Sequence, residues 1–153
     1  MIGLLTEERG SVTGQQKVGE TIDRILSGTG TIAVVGLSTH PEKAAHSVPA
    51  AMQAAGFTVL PVHPHADRIL GQVAYRSLAD IPLPVDLVNV FRPAEEAPEI
   101  TRQAVRIGAW ALWLQLNLRS EEARRIATEA GLDYVEDRCL AVEYSLRRIG
   151  PAR

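Results

Sequence analysis

From Thr31 onward, short unbroken apolar runs alternate with segments whose apolar residues recur at helical spacing. Thr31–Gly36 (TIAVVG) is the first such run; it ends in glycine and predicts a strand buried on both faces. Similar runs predict strands over 57–62, 85–91 and 109–116, and a shorter one over 132–135. Between them the spacing predicts helices over 47–55, closed by Gly56, and over 94–107, through Ala97, Ile100, Ala104 and Ile107 and closed by Gly108. Two more follow, over 120–130, closed by Gly131, and over 140–148, before Pro151. Ahead of the first strand, Val18, Ile22, Ile25 and Leu26 share one face of a helix over 17–28. Pro49 and Pro93 fall where a first helical turn tolerates them, and Ser120 is placed to cap a helix with Glu121 and Glu122 in its first turn. Segment 65–84 has no period; Ile69, Leu70 and Tyr75 are expected to pack back on the domain, with one helical turn over 77–80.

Apolar strands alternating with helices predict an α/β, doubly wound, mainly parallel five-stranded sheet with helices on both faces. Residues 1–16 are polar and lack a period, so a flexible tail is expected ahead of a single domain over 17–153. In open α/β sheets ligands bind at the C-terminal ends of the strands, near the switch in strand order. Those ends therefore carry the functional reading.

Composition narrows the classes. With 46% hydrophobic and 22% charged residues, the 153-residue chain can bury a core, and a net charge of −2 gives no basic excess for nucleic acid. The apolar runs are too short to cross a membrane, and the N-terminus lacks the pattern of a signal peptide. Cys139 is the only cysteine, which excludes an intramolecular disulfide and argues against a thiolate metal site. A cytoplasmic protein is expected.

The first strand end reads Gly36-Leu37-Ser38-Thr39-His40-Pro41-Glu42-Lys43. A glycine there lets a phosphate approach the backbone, Ser38 and Thr39 can donate hydrogen bonds, and Lys43 can neutralise charge. The same residues also suit an ordinary strand-to-helix turn. The dinucleotide fingerprint is missing: no G-x-G-x-x-G follows the first strand, and Val62-His63-Pro64 offers no acid for a ribose. The third strand ends in Phe91-Arg92-Pro93, where Arg92 and a helix N-terminus can share an anion and Phe91 can pack on an adenine; alternatively Phe91 is core and Arg92 pairs with Glu95 or Glu96. Trp110 and Trp113 read as core, whereas Gln115, a polar residue closing an apolar run, is expected to face the cleft. Glu136-Asp137-Arg138-Cys139 reads either as part of a site or as a salt bridge beside a buried thiol. His63-Pro64-His65 lacks a zinc spacing, so no metal site is expected.

Several of these segments occur together in one family. TIAVVGLS (31–38), GFTVLPVHP (56–64), Leu70-Gly71 with Tyr75-Arg76-Ser77-Leu78, VDLVNVFRP (85–93), Trp113-Leu114-Gln115 and Asp137-Arg138-Cys139 follow one another in this order. The chain so resembles the small bacterial CoA-binding proteins, which are similar to the CoA-binding domain of the succinyl-CoA synthetase α subunit. The resemblance covers about residues 20–148 and implies a Rossmann-like fold with coenzyme A held by the strand-end loops. Carried onto this chain, it implies Gly36, Leu37, Ser38 and Lys43 from the first loop, Val62, His63 and Pro64 from the second, and Phe91 and Arg92 from the third. Gln115, Arg138 and Cys139 complete the implied cleft. Lys43, Ala45 and His63 stand where the family often has Arg, Ser and Asn.

The expected function is a non-catalytic module that binds or senses coenzyme A or an acyl-CoA. The synthetase subunit works through a phosphohistidine in a further domain, for which this chain has no room, so an enzyme acting on a CoA thioester is the second reading. An NAD- or nucleotide-binding protein is the third. No nucleic acid or membrane partner is expected; a protein partner or self-association stays open.

Overall fold

The computed structural model describes residues 13–152. Its first helix, α1 (Gly14–Gly28), opens on a capping box: the Thr13 hydroxyl accepts the Gln16 N–H, and the Gln16 side chain accepts the Thr13 N–H. Gly14–Gln16, expected to end a flexible tail, are thus the first turn of a helix, because this pair satisfies its free N–H groups. The rest of that expected tail, residues 1–12, lies outside the described residues.

The apolar runs form strands β1 (Thr31–Val35), β2 (Thr58–Val62), β5 (Leu87–Val90), β6 (Ala111–Leu114) and β7 (Asp133–Val135). They pair in parallel in the order β2-β1-β5-β6-β7, with Ile32 opposite Val59 and Leu87, and Leu87 opposite Ala111. The connecting helices are α2 (Ala44–Ala54), α3 (Ala97–Arg106), α4 (Glu121–Glu129) and α5 (Leu140–Arg147). The period of two along each strand divides the core. Ile32, Val34, Leu87 and Trp113 pack with Ile22, Ile25 and Leu26 of α1, Met52 of α2 and Leu140 of α5. Ala33, Val88, Leu112 and Leu114 pack on the other face with Ile100 and Ala104 of α3 and Ala123 of α4. This is the doubly wound Rossmann-like sandwich the alternation predicts.

Segment 65–84 holds more order than its sequence suggests. Arg68–Ile69 (β3) and Gln72–Val73 (β4) form a small antiparallel hairpin. Its two-residue turn puts both Leu70 (φ 54°) and Gly71 (φ 75°) in the left-handed region, as a type I′ turn requires. A single 3₁₀ turn follows at Leu78–Asp80.

The chain runs outward from β1 to β2, then crosses back over β1 to β5. Beyond β1 it leaves toward α2 on one face, and beyond β5 toward α3 on the other. The gap this reversal opens between the two strand ends is the switch point of the sheet.

Candidate functional site

Gly36 closes β1 with φ 93°. A Cβ on it would stand 3.0 Å from the Phe91 carbonyl oxygen and 3.0 Å from Arg92 Cδ. Only glycine lets the β1 and β5 exits approach this closely. The Phe91 N–H donates to the Val35 carbonyl at 2.9 Å, and the Gly36 N–H to the Val62 carbonyl at 3.1 Å, so the three strand ends are held in register.

The loop after Gly36 is fixed from α2. This helix starts at Ala44, ahead of the expected position, and Pro49 lies inside it rather than in its first turn. Proline has no N–H, so the Ala45 carbonyl loses its helical donor. The Ser38 N–H takes that place at 3.0 Å. On the other side His46 Nδ1 stands 2.7 Å from the Ser38 carbonyl and donates to it, and the Ser38 hydroxyl accepts the His40 N–H at 3.0 Å. The mid-helix proline and the loop conformation are thus one feature.

The clamped loop faces a cleft of about 720 Å³ at the switch point. Gly36, Leu37, Ser38 and Lys43 line it from the β1 side, Val62, His63 and Pro64 from β2, and Phe91 and Arg92 from β5. Lys43 caps α2 through its backbone only, which leaves its exposed side chain free of any cap bond. The Ala44 and Ala45 N–H groups, first in α2, have no helical acceptor and carry the positive end of the helix dipole.

Two further cleft residues are already engaged. Arg92 donates from Nε and Nη2 to both oxygens of Glu96, at 3.1 and 2.7 Å, and the pair holds the Glu96 carboxyl below its ordinary range. Arg92 therefore does both things the sequence offers: it lines the cleft and pairs with a glutamate. His63 Nδ1 accepts the N–H groups of His65 and Ala66, at 3.0 and 2.9 Å, which puts the ring proton on Nε2. Burial first, then the charges of His65 and Arg76, lower its pKa, so the ring is held neutral with one N–H to offer. Arg76 ties this loop down by donating to the His63, His65 and Ala66 carbonyls. Among the cleft-lining residues, Arg76 and Glu96 were not singled out as site residues from the sequence. Arg76 lay in the family-like Tyr75-Arg76-Ser77-Leu78 segment, and Glu96 stands one helical turn after Arg92.

A second cavity of about 490 Å³ adjoins the first at Phe91 and Arg92, which line both, and lies at the ends of β5 and β6. Gln115 and Cys139, expected to complete the main cleft, line this second cavity instead. Arg138 lines neither cavity. Its guanidinium donates to Gln15 at 3.0 Å and lies 3.7 Å from Glu143, while its carbonyl accepts the Trp113 indole N–H at 2.8 Å. β7 is the edge strand, so its exit turns toward α1 and α5 rather than toward the switch point. Arg138, expected in the cleft, is engaged with α1 and α5 instead. The neighbouring acids are structural as well: Glu136 meets Arg124 at 3.0 Å, and Asp137 accepts the Asn117 N–H and pairs with Arg119, both at 2.7 Å.

Among the described residues no group of His, Cys, Asp or Glu is arranged to hold a metal, and no helix is long and apolar enough to cross a membrane.

A family described as a CoA binding domain matches residues 30–145. The uncharacterized protein YneT of Bacillus subtilis is 39% identical over 127 residues, which covers 83% of this chain and 94% of that one. The ADP-forming acetate–CoA ligase II of Archaeoglobus fulgidus is 30% identical over 125 residues, covering 79% of this chain but only 18% of the ligase. A solved structure of a hypothetical protein from Pyrococcus horikoshii superposes with a TM-score of 0.80 at 36% identity, over 86% of this chain and 91% of that one. With its glycine cradle, its helix N-terminus and its matched span, the chain belongs to the CoA-binding domain family.

Proposed function

We propose that the protein binds coenzyme A, free or as a thioester, in the cleft between the ends of β1 and β5, and acts as a binding or sensing module rather than as an enzyme by itself. The observation that carries this reading is a convergence at one point: the Gly36 cradle, Ala45 in the first turn of α2, Lys43 and Arg92 all line the same cleft. Coenzyme A brings a pyrophosphate, a further phosphate and a long, mainly apolar arm, and the residues fit each part. Lys43, Arg92 and the start of α2 would hold phosphates. Leu37, Val62 and Phe91 would line the arm. His63, fixed as an Nε2–H donor, would offer the ligand one hydrogen bond. The name of the Archaeoglobus fulgidus ligase, which acts on acetate and coenzyme A, points to the same ligand.

The non-catalytic reading rests on what surrounds the one thiol. Cys139 shares its cavity with Gln115, Asn117, Arg92 and apolar residues, so no histidine or carboxylate stands there as a general base. A lone reduced cysteine also suits the cytoplasm, where we place the protein.

Calorimetric titration tests the reading. Coenzyme A is expected to bind more tightly than NAD or ATP, and Lys43→Ala to weaken it about ten-fold, the worth of one charge-assisted contact. A folded protein that ignores coenzyme A, or prefers NAD, overturns the ligand. Turnover of acetyl-CoA by the purified protein overturns the non-catalytic role.

A further inference from the structure

The second cavity differs from the main cleft in its lining. Apart from Arg92 on the wall it shares with the main cleft, its side chains are uncharged: Phe91, Pro93, Leu116, Leu118, Asn117 and Gln115 line it together with Ala44 and Cys139. Gln115 is its unusual member. It is only 5% exposed, and its Oε1 accepts from Asn89 Nδ2 and from the Leu140 N–H, both at 3.4 Å. The Leu140 N–H is a donor, so the amide oxygen must face it, and the amide nitrogen must point the other way. That nitrogen has no acceptor among the described residues and belongs to a side chain that lines the cavity. An amide N–H at a cavity wall with no protein acceptor offers a ligand one hydrogen bond, so the cavity suits a ligand that brings one carbonyl oxygen and otherwise apolar surface.

Resting on the coenzyme A reading above, we infer that this cavity is an acyl compartment: it takes the uncharged chain of a short or medium acyl-CoA, with the thioester carbonyl toward Gln115 Nε2. Adjacency supports the commitment to this occupant, since Phe91 and Arg92 line both cavities. A ligand whose phosphates sit at Lys43 and the start of α2 can reach the second cavity past Phe91 and Arg92 with its opposite, uncharged end. The physiological ligand is then the thioester, and free coenzyme A is the weaker partner.

Coenzyme A, butyryl-CoA and hexanoyl-CoA are to be titrated calorimetrically into the full chain. Affinity is expected to rise with the chain by about four-fold per buried methylene, the transfer value of a CH₂ group, as long as the chain stays inside the cavity. Leu116, exposed at the cavity wall, provides the matching variant: in Leu116→Trp the ratio of hexanoyl-CoA to coenzyme A affinity is expected to fall toward one. Alkylation of Cys139, followed by intact mass, reads the same cavity without any affinity, and hexanoyl-CoA is expected to slow it more than coenzyme A does. If coenzyme A binds but the acyl chains add nothing, or the Leu116→Trp ratio does not move, or Cys139 is protected equally by both ligands, the acyl compartment is wrong and the coenzyme A reading stands. If none of the three ligands binds, both fall.

Discussion

The two ends of the central sheet are made of the same strands but use their polar groups in opposite ways. At the end where the strands begin, the backbone groups are paired within the fold, although the buried Thr29 hydroxyl has no partner. Asp86 Oδ2 accepts the N–H groups of Gly30 and Thr31 at 2.9 and 3.0 Å, the Gly30 carbonyl accepts the Thr58 N–H at 2.9 Å, and the Thr29 carbonyl accepts the Ala152 N–H at 2.8 Å. At the end where the strands finish, donors are left over: the first N–H groups of α2, the Lys43 ammonium, His63 Nε2–H and Gln115 Nε2–H. The closed end holds the fold together, and the open end is shaped by the fold but finished by a ligand. Substitutions at the two ends should therefore separate stability from binding.

The largest effect is expected at the closed end. Asp86→Ala strands two backbone N–H groups and should cost about 2–3 kcal/mol of stability. For a domain of this size that is a fall of roughly 4–12 °C in Tm. Calorimetric coenzyme A affinity, measured at a temperature where the variant is folded, should not change; a loss of binding there would join the two ends.

At the open end, Glu96 competes with the ligand for Arg92 and places a negative charge beside its phosphates. Glu96→Gln should tighten coenzyme A binding about three-fold, in keeping with the modest worth of an exposed ion pair, and leave Tm nearly unchanged. Weaker binding in this variant would mean that Glu96 positions Arg92 for the ligand instead of withholding it.

The smallest effect is a pH dependence. The pKa of His63 is lowered in the folded protein, so folding favours its neutral ring. Its contribution to stability is complete above the ordinary imidazole pKa and is lost as the pH falls through the lowered folded value. Between about pH 7 and about pH 5, the wild type should lose slightly more Tm than His63→Asn, because only the wild type has this ring to protonate. Parallel curves for the two proteins would show that Nδ1 is not held as the geometry indicates.

Much of this division is written in the sequence. The unbroken run TIAVVG could only be a strand buried on both faces, and the glycine at its end marks where two strand exits meet. Gly36, Lys43, Phe91 and Arg92 are legible because the strand ends are legible. What the sequence hides are contacts between distant segments. Pro49 marks the inside of α2 only once Ser38 is known to use the Ala45 carbonyl. Arg138 looks like a cleft cation because it follows a strand, yet that strand is the edge one and its exit faces α1. The Leu70-Gly71 turn gives no signal through its leucine, which rarely adopts a positive φ. The start of α1 is marked in the sequence by the capping-box spacing of Thr13 and Gln16, although its first turn has no apolar period.

The most direct test of the central claim is the backbone amide NMR spectrum of the folded wild type, followed as coenzyme A is added. The account predicts large shifts at Gly36, Ser38, Ala44, Ala45 and His63, with Gly30, Thr31 and Thr58 unmoved. Shifts centred on Gly30 and Thr31, or a spectrum that stays still throughout, would contradict it.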